Sequence, residues 1–300
     1  MDEAETENRK KRVKLTVAYD GTNYCGWQVQ PNGVSVASVL NRHLSELLQE
    51  NIYVLGASRT DAGVHARGNV AVFDTSARMP ADRISYALNT RLPEDIRIWD
   101  SREVASDFHP RFCETRKTYE YRICNRRFPD PCSRLYSLFY YWDLDVERMQ
   151  KAADYLVGTH DFTSFCTAKP EVTNRVRTIY SLEVFRAEDG AGEQPGSERK
   201  VCPSVQAENT DGQRSVKDMD ANPAGAQALC GRHDGMIIVR ICGSGFLYNM
   251  VRIIVGTLLR IGSGMQEPEE MENILLAKNR SLAGDTAQAH GLTLMGIEYL

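Results

Sequence analysis

The residues best suited to chemistry lie in Ala57-Ser58-Arg59-Thr60-Asp61-Ala62-Gly63-Val64-His65-Ala66, with an acid, a base two residues before it and a glycine two residues after it. This stretch separates the β-rich runs Tyr53–Leu55 and Asn69–Phe73, and loops held by a rigid sheet carry a disproportionate share of catalytic side chains. Taken alone, Thr60-Asp61-Ala62-Gly63 also suits a tight turn in which Asp accepts local N–H groups and Gly supplies a positive φ. A catalytic Asp61 must stay ionised in a partly dry pocket. Burial raises an Asp pKa above its reference of about 3.9 and a nearby guanidinium lowers it, so Arg59 is expected as the buried partner of Asp61. Gly63, without a Cβ, lets the loop turn tightly or the backbone approach a ligand. His65 beside a strand reads as structural and is assigned no catalytic role.

Periodicity supplies the elements that must hold this loop. Val13–Tyr19 alternates apolar and polar residues as a strand, and Asp20–Gly33 is a long loop. Ser35 caps a helix over Val36–Leu48. Tyr53–Ala57 and Asn69–Phe73 are two more strands, Pro80 opens a second helix, and Ile96–Trp99 is a fourth strand. The order β-α-β-β-α-β is that of a ferredoxin-like split unit. Further on, Lys117–Ile123 is a strand with Tyr119, Tyr121 and Ile123 on one face; Tyr121 reads as a core tyrosine. Leu138–Trp142, Thr178–Phe185, Met236–Ile241 and Leu294–Tyr299 are strands, the middle two a hairpin, with helices over Val146–Val157, Tyr248–Ile261 and Pro268–Ala277. The pattern fits an α+β protein of two halves packed through adjoining antiparallel sheets. Residues 1–12 form a disordered tail, 13–110 the domain with the Asp61 loop, and 111–300 the second domain, in which 187–234 is a flexible insertion.

The composition is that of an ordinary globular protein, 42% apolar and 25% charged. Arg240, Arg252 and Arg260 interrupt the most apolar region, which argues against a membrane helix. Eight scattered cysteines without C-x-x-C read as reduced thiols in a cytoplasmic protein. Pro131-Cys132-Ser133-Arg134-Leu135 lacks the second Cys of a zinc-deaminase signature, and the sequence holds no H-x-E. No metal spacing, dinucleotide fingerprint or Walker loop occurs. The net charge is −4, and segment 187–234 carries nine acids against five bases, a difference equal to that charge. Any binding of RNA phosphates therefore depends on where the bases are placed.

The ten residues of the acidic loop resemble the tRNA pseudouridine synthase A (TruA) family. The resemblance continues, in the family's order, through Tyr19-Asp20-Gly21-Thr22-Asn23-Tyr24-Cys25-Gly26-Trp27-Gln28, Lys117-Thr118-Tyr119-Glu120-Tyr121-Arg122-Ile123, Asp161-Phe162-Thr163-Ser164-Phe165, Phe246-Leu247-Tyr248-Asn249-Met250-Val251-Arg252 and Gly291-Leu292-Thr293-Leu294. It covers the chain from about Lys14 onward except 187–234. The resemblance implies two related ferredoxin-like (RRM-like) domains with adjoining antiparallel sheets and a central active-site cleft between them, and a cofactor-free isomerisation of uridine to pseudouridine. It implies Asp61 as the catalytic carboxylate with Arg59 against it, Tyr119 as the active-site tyrosine and Leu292 as the apolar residue closing over the base. It further implies a homodimer acting on the anticodon stem-loop of tRNA at positions 38 to 40.

Such a reaction breaks N1–C1′, turns the bound uracil and joins C5 to C1′. An ionised carboxylate is needed whether it attacks C1′, attacks C6 or takes a ribose proton, and Tyr119 offers a ring for stacking and a phenol near C5. The base must be extracted from its helix to reach the acid. Tyr24, Trp27, Gln28, Arg111 and Arg252 are accordingly expected at the tRNA surface. Arg252, in an otherwise apolar helix, is costly to bury unpaired and must face the cleft or an internal acid. A non-catalytic RNA-binding protein or RNA chaperone of the same fold would be expected to have lost Asp61, Arg59 or Tyr119. A carboxylate glycosidase or phosphohydrolase lacks its usual paired acids or metal ligands here.

Overall fold

The computed structural model describes residues 10–167, 174–187 and 235–300. The expected flexible insertion, apart from Ala187, and most of the expected tail lie outside them. Strand β1 (Lys11–Tyr19) starts two residues before the expected boundary of 13, because Lys11 and Arg12 pair with Thr75 and Asp74 across the sheet. Arg12 is not a solvated tail residue: its guanidinium grips the Asp74 carboxylate at 2.7 Å.

Helix α1 (Val36–Leu48) begins where the sequence places it. Ser35 Oγ accepts the Ser38 N–H and Ser38 Oγ accepts the Ser35 N–H, a reciprocal cap that satisfies two otherwise orphaned donors. The chain continues through β2 (Leu55–Gly56), β3 (His65–Thr75), α2 (Ala81–Asn89), β4 (Ile96–Val104) and β5 (Thr115–Asn125). It then forms β6 (Leu138–Phe139), α3 (Val146–Asp154), β7 (Gly158–Asp161), β8 (Val176–Arg186) and β9 (Gly235–Gly243), and ends with α4 (Met250–Gly262), α5 (Glu270–Ala277) and β10 (Leu292–Tyr299).

The result is a mixed α+β fold built on one large, mostly antiparallel sheet. Its order is β4-β1-β3-β10-β5-β9-β8-β7, with β2 added to β3 and β6 to β5. The expected adjoining sheets are thus continuous, joined where β10 runs parallel to β3 at Thr293–His65 and Leu294–Ala66. β8 and β9 pair antiparallel, as expected of the hairpin. Two expected strands are much shorter than the apolar runs suggest, at Leu55–Gly56 and Leu138–Phe139, and β7 was not foreseen in Gly158-Thr159-His160-Asp161.

On β5, Tyr119, Tyr121 and Ile123 are buried on one face as the alternation requires. Glu120, on the other face, is also buried, because Arg240 opposite it on β9 donates to its carboxylate at 2.8 and 3.0 Å. Trp27 and Tyr24 depart from expectation. Trp27 is 1% exposed and packs with Tyr19, their ring centroids 6.0 Å apart. Tyr24 is 8% exposed and donates its hydroxyl to Asp95 at 2.6 Å. Both are core residues of the long loop rather than part of an outer surface, since an apolar ring gains most by leaving water.

Trp27→Ala should therefore cost about 3–5 kcal/mol of stability, visible as a lowered midpoint in urea unfolding. A midpoint equal to that of wild type would return Trp27 to the surface.

Candidate active site

The Asp61 loop runs from the end of β2 to the start of β3, with alternating residues turned inward and outward. Ser58 and Thr60 are buried, Arg59 is exposed and Asp61 is partly exposed. The inward hydroxyls enter a buried hydrogen-bonded network. Ser58 Oγ lies 2.8 Å from Tyr119 Oη, and Thr60 Oγ1 lies 2.7 Å from Tyr19 Oη. Asn69 joins the two by donating to the Ser58 carbonyl at 3.1 Å and to Tyr19 Oη at 3.3 Å. A fully satisfied buried network of this kind fixes one arrangement of its members. The outward residues are thereby aimed from a rigid base.

The turn closes as its sequence suggests, with the Val64 N–H donating to the Asp61 carbonyl at 3.1 Å. Gly63 has φ +77, the left-handed region that other residues enter only with strain. The long loop clamps the turn, because the Gly63 N–H donates to the Tyr24 carbonyl and the Trp27 N–H to the Thr60 carbonyl. His65 is buried, as a structural histidine should be. Its ring is met by the Gly21 N–H, the Asp20 carboxylate and the carbonyls of Leu135 and His290, all within 3.1 Å.

Arg252 of α4 brings its guanidinium to 3.6 Å from the Asp61 carboxylate. Arg59, expected as a buried partner of that acid, is instead exposed and lies close enough to Arg111 to disfavour the charge of Arg111. Inward turning of Ser58 and Thr60 forces Arg59 outward, so two-residue spacing does not by itself make a buried pair. Arg252 is held by donating to the Ala287 carbonyl at 2.6 Å and to Asn249 Oδ1 at 3.1 Å. It thus faces the partly exposed acid of the loop, which meets the need of a guanidinium in an apolar helix for a partner.

Tyr119 is 7% exposed, and Phe246 meets it edge-on at 5.3 Å. Burial pushes its phenol up to about 12; the Ser58 hydrogen bond opposes the rise and the negative charge of Asp61 adds to it. Tyr119 is therefore a neutral phenol at neutral pH. Leu292 is buried at the start of β10, opposite Tyr121, whose hydroxyl donates to the Gln288 carbonyl at 2.7 Å. Gln28 is exposed. Arg111 is partly buried and donates from Nε to the Gly56 carbonyl at 2.7 Å.

Sequence reasoning gave no role to Ser58, Asn69 or Lys117. For Ser58 a signal existed, since the residue before Arg59 must face the same way as Thr60. Among the described residues no group of three or more His, Cys, Asp or Glu side chains could hold a metal ion, and no helix is long and apolar enough to cross a membrane.

Comparison with known proteins places the chain in a family. A family model described as tRNA pseudouridine synthase matches residues 15–113 and 152–300. A tRNA pseudouridine synthase A of Bacillus pumilus is 38% identical over 290 residues, 96% of this chain and 99% of the relative. Another, of an Exiguobacterium species, is 39% identical over 289 residues, covering 96% and 98%. A third, of Halalkalibacterium halodurans, is 41% identical over 283 residues, covering 94% and 90%. The chain belongs to the tRNA pseudouridine synthase family.

The segment that presents Leu292 and the Ala287 carbonyl is strapped to α4 by backbone contact. The Gly284 N–H donates to Thr257 Oγ1 and the Ala287 N–H to the Arg252 carbonyl. A Cβ at Gly256 would stand 1.8 Å from the Asp285 carbonyl oxygen. Gly256→Ala should displace the strap, cost roughly 1–3 kcal/mol and slow turnover at temperatures where the protein remains folded. Wild-type stability together with wild-type rate would show that the strap tolerates the change.

Proposed function

We propose that the protein isomerises uridine to pseudouridine in the anticodon stem-loop of tRNA, at positions 38 to 40, with the Asp61 carboxylate as the catalytic group. The observation that carries this reading is the meeting of Asp61, Arg252 and Tyr119, from three elements far apart in sequence, at one rigidly supported loop. Family membership and the printed names of the relatives support the tRNA substrate.

In this reading Arg252 favours the ionised carboxylate by opposite charge. Tyr119, braced by Ser58 and Phe246, meets the extracted uracil as a neutral ring and hydroxyl. The phenol keeps its proton to about pH 12, so at neutral pH it meets the base as a neutral hydroxyl and not as a phenolate. Leu292 supplies apolar cover for the base. Arg59, exposed on the same loop, acts on the RNA rather than on Asp61, and Gln28, Arg111 and Arg252 line its path. Tyr24 and Trp27 act from within, holding the loop.

The catalytic cleft lies between an N-terminal half, 13–110, and a second half, 111–300, each a ferredoxin-like unit. The sheet orders β4-β1-β3-β2 and β10-β5-β9-β8 support that division, since both follow one pattern. The protein works in the cytoplasm as a homodimer and needs no cofactor.

The test is pseudouridine formation in a purified tRNA anticodon stem-loop without added metal or nucleotide. Asp61→Ala should lower the rate by more than about a thousandfold, at the upper part of the range for loss of a proton-transferring group, while RNA binding persists. An active Asp61→Ala protein would remove the carboxylate from the mechanism. A folded but inactive wild type would favour a binding protein without catalysis.

A further inference from the structure

Several partly buried arginines have an acid beside them: Arg12 has Asp74, Arg148 has Glu267, Arg240 has Glu120 and Arg252 has Asp61. One group is different. Arg111, Lys117 of β5 and Arg177 of β8 lie near one another, and the charges acting on Lys117 are the other two cations. Among the described residues no carboxylate acts on any of the three, and the one acidic group that does is the Cys166 thiol, whose negative form favours the charge of Arg177. Arg59 stands at the edge of the group, beside Arg111.

The cations also touch the catalytic loop directly. Arg111 Nε donates to the Gly56 carbonyl at 2.7 Å and Lys117 Nζ to the Ala57 carbonyl at 3.0 Å. These are consecutive residues immediately before Ser58. Each contact uses one donor, which leaves the remaining N–H groups of both side chains for an anion. Arg177 spends Nη1 on the carbonyls of Asn174 and Val176 and keeps its other nitrogens. Lys117 shares its strand face with Tyr119, two residues on, at a spacing of about 7 Å along the strand.

Resting on the functional reading above, we infer that Arg111, Lys117 and Arg177 form a seat for one backbone phosphate of the RNA next to the target nucleotide. Like charges gathered without a carboxylate are held apart at a cost that an anion reverses. The bond from Lys117 to Ala57 ties the filled seat to the loop that carries Asp61.

The pH dependence follows from the lysine. Burial first, then Arg111 and Arg177, lower its ammonium to about 8 in the free protein. A phosphodiester in the seat favours the charged form and raises that value. Binding therefore takes up a proton once the pH passes about 8, and affinity falls as pH rises from there through the raised value. Tyr119, on the same strand face, holds its proton to about 12 and adds no charge change in this range.

Equilibrium binding of an unmodified tRNA transcript, measured in an Asp61→Ala background to prevent turnover, tests the seat. Adding Lys117→Gln should weaken binding about tenfold at pH 7, reduce the salt slope by about one and flatten the fall in affinity between about pH 7.5 and 9.5. A neutral methylphosphonate, placed in turn at each linkage flanking the target uridine, should at one linkage weaken binding to the parent protein and leave the Lys117→Gln protein unaffected. Equal affinities and salt slopes, or no linkage with this coupling, would overturn the inference. So would a Lys117→Gln protein that loses turnover in the wild-type background but not affinity, since Lys117 would then only anchor the loop. Should Lys117→Gln not fold, Arg177→Gln must lower the salt slope instead, and its failure to do so would be equally decisive. Pseudouridine formation by wild type on the same transcript is read alongside, so failure of the functional reading is separable from failure of the seat.

Discussion

Strand β10 pairs along one edge with β5 in antiparallel register and along the other with β3 in parallel, at Thr293–His65 and Leu294–Ala66. That double pairing sets the distance between everything on the β3 side and everything on the β5 side. The Asp61 loop enters β3, Tyr119 projects from β5, and the strap that fixes Arg252 runs directly into β10. Parallel neighbours need a long crossover between them, and here the connection from β3 to β10 includes nearly every other element. The same seam places His65 against the His290 carbonyl, 225 positions away in sequence.

Around this seam the loop is specified twice, from below and from the side. Below it, the hydroxyls of Ser58, Thr60, Tyr19 and Tyr119 share protons with one another and with Asn69, so each polar group withdrawn from water has a partner. From the side, the long loop from Asp20 contributes backbone clamps at Tyr24 and Trp27. The cost of ordering an exposed, charged turn is thus met by groups that never touch a substrate. The reactive carboxylate can remain partly open while the backbone that carries it is rigid.

Much of this was legible in the sequence, and what was not has physical reasons. The reciprocal cap at Ser35, the alternation on β5 and the turn at Gly63 are local, because each depends on residues a few positions apart. Arg59 and Arg252 were harder to place, since which guanidinium reaches Asp61 depends on how α4 docks and not on spacing within the loop. Trp27 and Tyr24 look like recognition aromatics in a Gly-rich loop, yet nothing in their neighbours reports that the loop folds inward onto Tyr19 and Asp95. The apolar run Leu138–Trp142 gave only a two-residue strand, and Tyr141 and Trp142 remain exposed. Apolar residues on a surface are ordinary, so composition alone overstates how much of such a run pairs.

The position of β10 at the seam has a consequence for how the protein is made. Until that strand has been synthesised, β3 lacks its parallel partner, and Arg252 and the strap, although already made, have no β10 to anchor them beside the Asp61 loop. Contacts this distant in sequence carry a large loop-closure cost and form late. The nascent chain therefore builds most of its sheet before any reactive constellation exists, and the edges of β3 and β5 that β10 will join stay exposed to wrong pairing for that interval. Activity, on this account, arrives all at once with the closing strand.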